Sequence, residues 1–210
     1  MLIPLDVLTS NFVMNIKGVL HIGAHECEEQ TAYLKQGVLN DNIYWIEAMK
    51  NKVELMKQQN PDYNIFQAVI SDVNDEEVNF NITNNGQSSS ILELGTHKKH
   101  HPHVWVEKQE SLKTTRLDTL IEKCKIPIEK LNFMNLDIQG AELKALKSMA
   151  HYIDNIDYIY TEVNTEYVYK DCALLNEVDE YLNEKGFERK CVRIYNNCGW
   201  GDAFYMRKGK

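Results

Sequence analysis

The chain has 210 residues, a formal charge of −8 and an apolar share of 43%, enough to bury one good core and too little for two domains of ordinary size. The excess of acid argues against broad electrostatic capture of DNA or RNA, which relies on counterions released from many phosphates, and no window approaches the roughly 18 consecutive apolar residues that would cross a bilayer. The opening MLIPLDVLTSNFVMNIKG has no basic n-region or sustained apolar stretch, and the five scattered cysteines form no C-x-x-C pair, so a cytoplasmic protein with reduced thiols is expected.

Short apolar runs alternate with amphipathic stretches along the chain, the sign of an α/β layer architecture. The first strand is expected at Gly18 to Gly23, followed by a helix from Glu28 to Gln36 that closes at Gly37. A second strand spans Asn42 to Glu47, a helix over Asn51 to Gln59 stops before Pro61, and a third strand runs from Asn64 to Ile70. Val78 to Thr83 alternates as a half-exposed strand and NNGQSSS supplies turn chemistry, so Asp72 to Arg116 reads as an insertion with a lid-like loop. Strands at Leu131 to Ile138 and Ile156 to Val163 flank the helix Ala141 to Met149, whose Leu143, Leu146 and Met149 share a face. After a helix from Leu174 to Lys185 come strands at Phe187 to Tyr195 and Asp202 to Arg207, joined only by NNCGWG. A link that short cannot cross over a sheet, so the last two strands must be antiparallel.

Ligands of an open parallel sheet sit at the carboxyl ends of its strands, and the residues there are informative. Gly23 and Ala24 let backbone approach a ligand closely, but the chain reads GAHECE from Gly23, so the G-x-G-x-x-G dinucleotide fingerprint is absent and Glu26 and Glu28 make a pyrophosphate a poor guest. Glu47 ends the second strand, where a carboxylate can accept two hydrogen bonds from a ribose. Gln67 and Ala68 fall where an adenine edge and face would lie. Asp137 interrupts an apolar run at the end of its strand, a position costly for an unpaired carboxylate unless it meets a cation, a hydroxyl or the crevice. Glu162 and Asn164 share a strand face one strand further on.

Asp137, Glu162 and Asn164 are oxygen donors, and a divalent cation such as Mg²⁺ is chemically open to them without being favoured over direct acceptor binding. His97, His100, His101 and His103 suggest zinc at first sight, but no cysteine stands at finger spacing and Pro102 breaks any helix that would align a pair. A solvated loop is expected there, with His101 and His103 placed to meet an acceptor. No metal site is assigned.

A mainly parallel sheet closing in an antiparallel hairpin is the plan of the class I methyltransferases. The succession VLHIGAHECEE, IYWIEA, QAVISD, SSSIL, TTRLDTLI, NFMNLDIQGAELKALKSM, YTEVNTEYVYK and GDAFYMRK resembles the FkbM-type methyltransferase family from about Gly18 to Lys208. The resemblance implies a Rossmann-like three-layer α/β sandwich that uses S-adenosylmethionine to methylate a hydroxyl of a sugar, polyketide or related small molecule. It places Gly23, Ala24 and His25 at the methionine end of the cofactor and Glu47 at the ribose. Gln67 and Ala68 fall at the adenine, Asp137 nearest the transferred methyl, and His21 and Ala48 complete the implied cofactor set. Asp137 or Glu162 is then the general base and Asn164, His101 and His103 the acceptor contacts. The alternative is a non-catalytic cofactor-binding or assembly module of the same fold. The chain departs from many relatives in having His21 where they carry Asp, and Cys27 where they place a glycine.

Overall fold

A computed structural model of the chain describes residues 1–209. Seven strands form one sheet in the order β3-β2-β1-β7-β8-β10-β9. In chain order the elements are α1 (Leu5–Asn11), β1 (Val19–Ile22), α2 (Gln30–Lys35), β2 (Ile43–Glu47), α3 (Lys50–Gln59), β3 (Asn64–Gln67), β4 (Val69–Ile70) and β5 (Glu77–Thr83). They continue with α4 (His97–His100), β6 (Val106–Thr115), α5 (Leu117–Cys124), β7 (Phe133–Leu136), α6 (Glu142–Ser148), β8 (Tyr158–Asn164), α7 (Leu175–Glu184), β9 (Phe187–Ile194) and β10 (Trp200–Arg207).

The parallel register runs Val19 opposite Ile43 on one side and Phe133 on the other, and β7 continues it to β8. Every residue of β1, β7 and β8 is buried, as continuous apolar runs must be when helices cover both sheet faces. On one face Leu20, Ile22, Met134 and Leu136 pack with Leu117, Leu120, Leu146 and Leu182 of α5, α6 and α7. On the other, Val19 and Phe133 pack with Leu5, Leu8, Tyr33, Val53 and Met56 of α1, α2 and α3. The result is three layers. β10 runs antiparallel to both β8 and β9, and β9 (FERKCVRI) is largely exposed, its charged side chains suiting an edge strand.

Two expected elements change. The third strand divides at Ala68, whose N–H donates to the Glu47 carbonyl at 3.0 Å. Val69 and Ile70 then pair with Thr114 and Thr115 of β6. This β4 opens a second sheet, β4-β6-β5, so the Asp72 to Arg116 region is built on strands, including the mostly exposed β6 that its weak alternation (VEKQESLKTT) conceals. The helix expected from Glu28 begins at Gln30, because Glu28 turns back: its carboxylate accepts the Glu26 N–H at 3.1 Å and meets His25 Nδ1 at 2.7 Å. His25 and Cys27 both take positive φ in that turn.

Candidate active site

The carboxyl ends of β1, β2, β7 and β8 open into a cavity of about 460 Å³, within the size range of small-molecule sites. Gly23 forms part of its floor. Its N–H and that of Ala24 both donate to the Ile46 carbonyl, at 2.9 and 3.0 Å, and the His25 N–H donates to Glu47 Oε2 at 2.7 Å. The turn is therefore tied to the end of β2, and its N–H groups face that strand rather than a ligand.

Glu47 is the hub of this corner. Its Oε1 accepts the Met49 N–H at 2.7 Å while Oε2 takes His25, which leaves each oxygen with acceptor capacity toward the cavity. Burial pushes its pKa up against the pull of those two N–H groups. Beside it lie Ala48, Ala68, Val69, Phe80 and Ile91, an apolar wall in which Met49, Val69 and Phe80 form a buried cluster. The wall unites the end of β2 with the second sheet, so Phe80 and Ile91 from residues 72–116 form part of one side of the cavity.

At the other end stand Asp137 and Glu162. The Gln139 side-chain amide donates to Asp137 Oδ1 and to Glu162 Oε2, the latter at 2.9 Å, and its carbonyl oxygen accepts the Tyr169 hydroxyl. Glu162 is buried, and burial, followed by the charge of Asp137, drives its pKa well up. Asp137 is pushed to about 6 by burial and by Asp202, although its side chain opens into the cavity and water there tempers the push. Asp202 accepts the Leu2 N–H at 2.5 Å and the Tyr160 hydroxyl. Glu142 caps the turn before α6, accepting Ile138 and Gly140 N–H groups, and burial raises it to about 7.

His21 reaches the cavity with its ring tilted against that of Trp45, centroids 4.8 Å apart, and Nδ1 3.0 Å from the Tyr33 hydroxyl, which accepts from Asn135 at 2.8 Å. Burial lowers its pKa to about 4, so this histidine is a neutral member of a buried polar line. His25 differs: the hydrogen bond to Glu28 raises its pKa.

The histidine segment is a correction to the sequence reading. It is solvated only in part: Lys98, Lys99, Pro102 and His103 are exposed, but Gly95 and His97 N–H groups donate to the Val168 carbonyl and Thr96 to that of Tyr167, which docks the segment and makes a helical turn of His97–His100. His97 is buried, packed on Tyr169 and His101 with ring centroids 5.6 and 4.9 Å away. Its Nδ1 has no hydrogen-bond partner among the described residues. His97, His101 and His103 line the cavity with Trp200, whose indole N–H donates to His101 Nε2 at 3.2 Å. His100 points elsewhere, to Glu166 at 2.5 Å. Burial and neighbouring histidines lower His97 to about 4 and also lower His101, so these two rings are neutral near pH 7.

Of the expected site residues, His21, Gly23, His25, Glu47, Ala48, Ala68, Asp137, Glu162, His101 and His103 line the cavity, whereas Ala24, Gln67 and Asn164 do not. Ala24 faces the core beside α2. Gln67 is exposed and leans on the Ala48 carbonyl at 3.4 Å. Asn164 is buried at the end of β8 with neither side-chain end partnered among the described residues, so it does not converge with Asp137 and Glu162. Gln139, Tyr169, Tyr160 and Asp202 were not assigned as site residues from the sequence. The GDA triplet before Phe204 was the one signal for Asp202, while Tyr160 and Tyr169 lay in the YTEVNTEYVYK stretch with no role assigned to either. Among the described residues no group of three or more His, Cys, Asp and Glu side chains is disposed to hold a metal ion, and an amide donor already occupies the space between Asp137 and Glu162.

The sheet order, its reversed β10 and a cavity at the strand ends define a class I methyltransferase fold. A family model described as the methyltransferase FkbM domain matches residues 21–189. The chain belongs to that family.

A crystal structure of methyltransferase FkbM from Methylobacillus flagellatus superposes with a TM-score of 0.56 at 12% identity, covering 90% of this chain and 43% of that one. TrmK of M. capricolum, solved with S-adenosyl-homocysteine, gives a TM-score of 0.50 at 10% identity, covering 98% of this chain and 68% of that one. The hexuronic acid methyltransferase AglP of Haloferax volcanii is 30% identical over 89 residues, 42% of this chain and 34% of its own length. The chain thus spans about a third of AglP and under half of the M. flagellatus protein. Among the described residues no helix is long and apolar enough to cross a membrane.

Proposed function

We propose that this chain is an S-adenosylmethionine-dependent O-methyltransferase acting on a hydroxyl of a sugar or related small molecule. One observation carries the reading. Carboxylates of Glu28, Glu29, Glu47, Asp137, Glu162 and Asp202 line the cavity and, among the described residues, no Lys or Arg does, a setting that suits a cationic nucleoside and repels a pyrophosphate.

The residues present fit that group. Glu47 has acceptor capacity left for ribose hydroxyls, the wall of Ala48, Ala68, Val69, Phe80 and Ile91 offers an apolar slot for a base, and the acids at the far end suit an ammonium group. When bound, the cofactor supplies a methyl already activated on a sulfonium. The protein's task is then to hold an acceptor oxygen in line and keep water away, an effect worth at most roughly 7 to 11 kcal/mol. His97, His101 and Trp200 form the neutral, ring-lined side on which an acceptor would rest. Asp137, open to the cavity and with a pKa near the working pH, takes the hydroxyl proton as the acceptor reacts. A sugar acceptor draws support from AglP, whose name gives a hexuronic acid as its substrate.

Calorimetric titration with S-adenosylmethionine and S-adenosylhomocysteine tests the reading. Binding heat and a raised melting temperature are expected with both, and neither effect with either ligand overturns it.

A further inference from the structure

Gln139 bears no charge and was assigned no role from the sequence, yet its side chain joins the two acids of the cavity. Its backbone sits at φ 57, a left-handed conformation that costs a non-glycine residue and persists only where surroundings enforce it. The enforcement is visible. Ser90 Oγ donates to the Gln139 carbonyl at 2.7 Å. At the next residue, Gly140, a Cβ would stand 3.0 Å from the side chains of both Cys172 and Tyr169. The amide is fixed in turn: Tyr169, itself buried, donates to Oε1, so Nε2 must carry the two N–H groups that point at Asp137 and Glu162.

We propose that Gln139 is the positioning residue of the acid pair: braced by Tyr169, its amide spans Asp137 and Glu162 and makes them one proton-holding unit in which Asp137 is the member left ionised toward the cavity. The logic is that of two carboxylates at close quarters, which do not both ionise readily and titrate as a pair. An amide that donates to both stabilises negative charge on either. Asp137, which opens into the cavity, then carries the charge more readily than buried Glu162.

Other groups face the pair. Asp202 on β10 and Glu142 on α6 raise the pair's proton affinity, as does Glu29 for Asp137, and the α-amine of Met1 lowers that of Asp137. Tyr160, whose hydroxyl donates to Asp202, and Tyr169 complete the surroundings. None of these spans both carboxylates. The inference rests on the methyl-transfer reading only for the use to which the proton site is put.

The test follows Asp and Glu carboxyl carbons by ¹³C NMR while the free protein is titrated, with Asp137→Asn and Glu162→Gln to assign the signals. In the wild type the two signals are expected to titrate together, in coupled steps. Gln139→Leu should raise the lower step by about one pH unit, a tenfold gain in proton affinity, and Tyr169→Phe should move it the same way by less. Titration curves in both variants that superpose on the wild type overturn the proposal, since a merely structural role would change stability and leave them in place. Should Gln139→Leu fail to fold, Gln139→Asn, too short to reach both acids, must raise the lower step in the same direction, and an unshifted curve in it counts equally against the proposal. Because the titration needs no ligand, failure of S-adenosylhomocysteine to bind would defeat the functional reading while leaving this result separately visible.

Discussion

A Cβ placed on Gly23 would stand 1.8 Å from the carbonyl oxygen of Asp137, so the turns that follow β1 and β7 meet backbone to backbone at the cavity floor. Gly23 also holds φ at 89, where an L side chain is strained. Gly23→Ala must push β1 and β7 apart at the point where Asp137 enters the cavity. The expected cost is about 2–4 kcal/mol in urea unfolding, with loss of S-adenosylhomocysteine binding in whatever fraction still folds.

Glu47 links structure to ligand in a way that two substitutions separate. Glu47→Ala removes the acceptor of the His25 and Met49 N–H groups and any ribose contact, and it should cost about 1–3 kcal/mol of stability and at least tenfold in cofactor affinity. Glu47→Gln keeps an acceptor for one N–H and should recover most of the stability but not the affinity. Paired melting and calorimetry measurements read the difference; equal affinity for wild type and Glu47→Gln would remove the ribose role.

The acids of the cavity set one pH dependence and its buried histidines an opposing one. Burial raises Asp137 from 3.8 to about 6 and Glu142 from 4.5 to about 7, and it raises Glu162 well above the usual carboxylate range. The folded chain therefore binds protons that the unfolded chain has released, and stability falls as pH climbs through those folded values. Glu28, held near 2, acts in the opposite sense but below this window, and buried His21 and His97, lowered from 6.5 to about 4, oppose the acids from pH 4 to 6.5, where the unfolded chain holds their protons. Above that range the acids set the sign, and urea midpoints should fall between pH 7 and pH 8. Asp137→Asn should remove its share of the acid effect and stabilise the protein at pH 8 by about 1 kcal/mol, a figure kept small because Asp137 is open to cavity water.

Trp200 stacks on Tyr195 with ring centroids 4.8 Å apart and holds His101 by its indole N–H. Trp200 packs in a different apolar cluster from the wall beside Glu47. Trp200→Ala should weaken acceptor binding, seen as an increase in KM of about tenfold, if a ring contact of about 1 kcal/mol is lost together with the positioning of His101. S-adenosylhomocysteine affinity should stay within about twofold, and a comparable loss there would show that the ring wall serves the cofactor instead.

The central strands were legible because β1, β7 and β8 are buried on both faces and read as short, mainly apolar runs. The C-terminal hairpin was legible from the length of its connection. Glu47, Asp137 and Glu162 were found because each is an acid at the end of such a run, a placement that local pattern reports. Ala68 was read as mid-strand although the chain changes sheets there, since the partner β6 lies far along the sequence and its exposed residues carry little periodicity. His97 was read as solvated because polar composition does not reveal that three N–H groups dock its segment on residues 167 and 168. Gln139 escaped for a related reason: a neutral amide gives no sign in sequence that two acids and a tyrosine converge on it.

The N-terminal segment gives the last prediction. The Tyr160 hydroxyl accepts the Ile3 N–H at 3.0 Å and donates to Asp202, which also accepts the Leu2 N–H. Met1 and Leu2 line the cavity, so one buried phenol and one carboxylate hold a segment from the start of the chain over the far end of the site. Tyr160→Phe removes only an oxygen from a well-packed ring, leaving the aromatic contacts of β8 in place. It orphans the Ile3 N–H and takes a donor from Asp202, a loss of about 1–2 kcal/mol. If that loss is borne by local opening rather than by global unfolding, amide exchange at Leu2 and Ile3 should speed about tenfold while the amides of β1 and β7 stay unchanged. Exchange that rises equally throughout would assign the bond to global stability, and exchange unchanged at Leu2 and Ile3 would show that the segment is held by its apolar contacts alone.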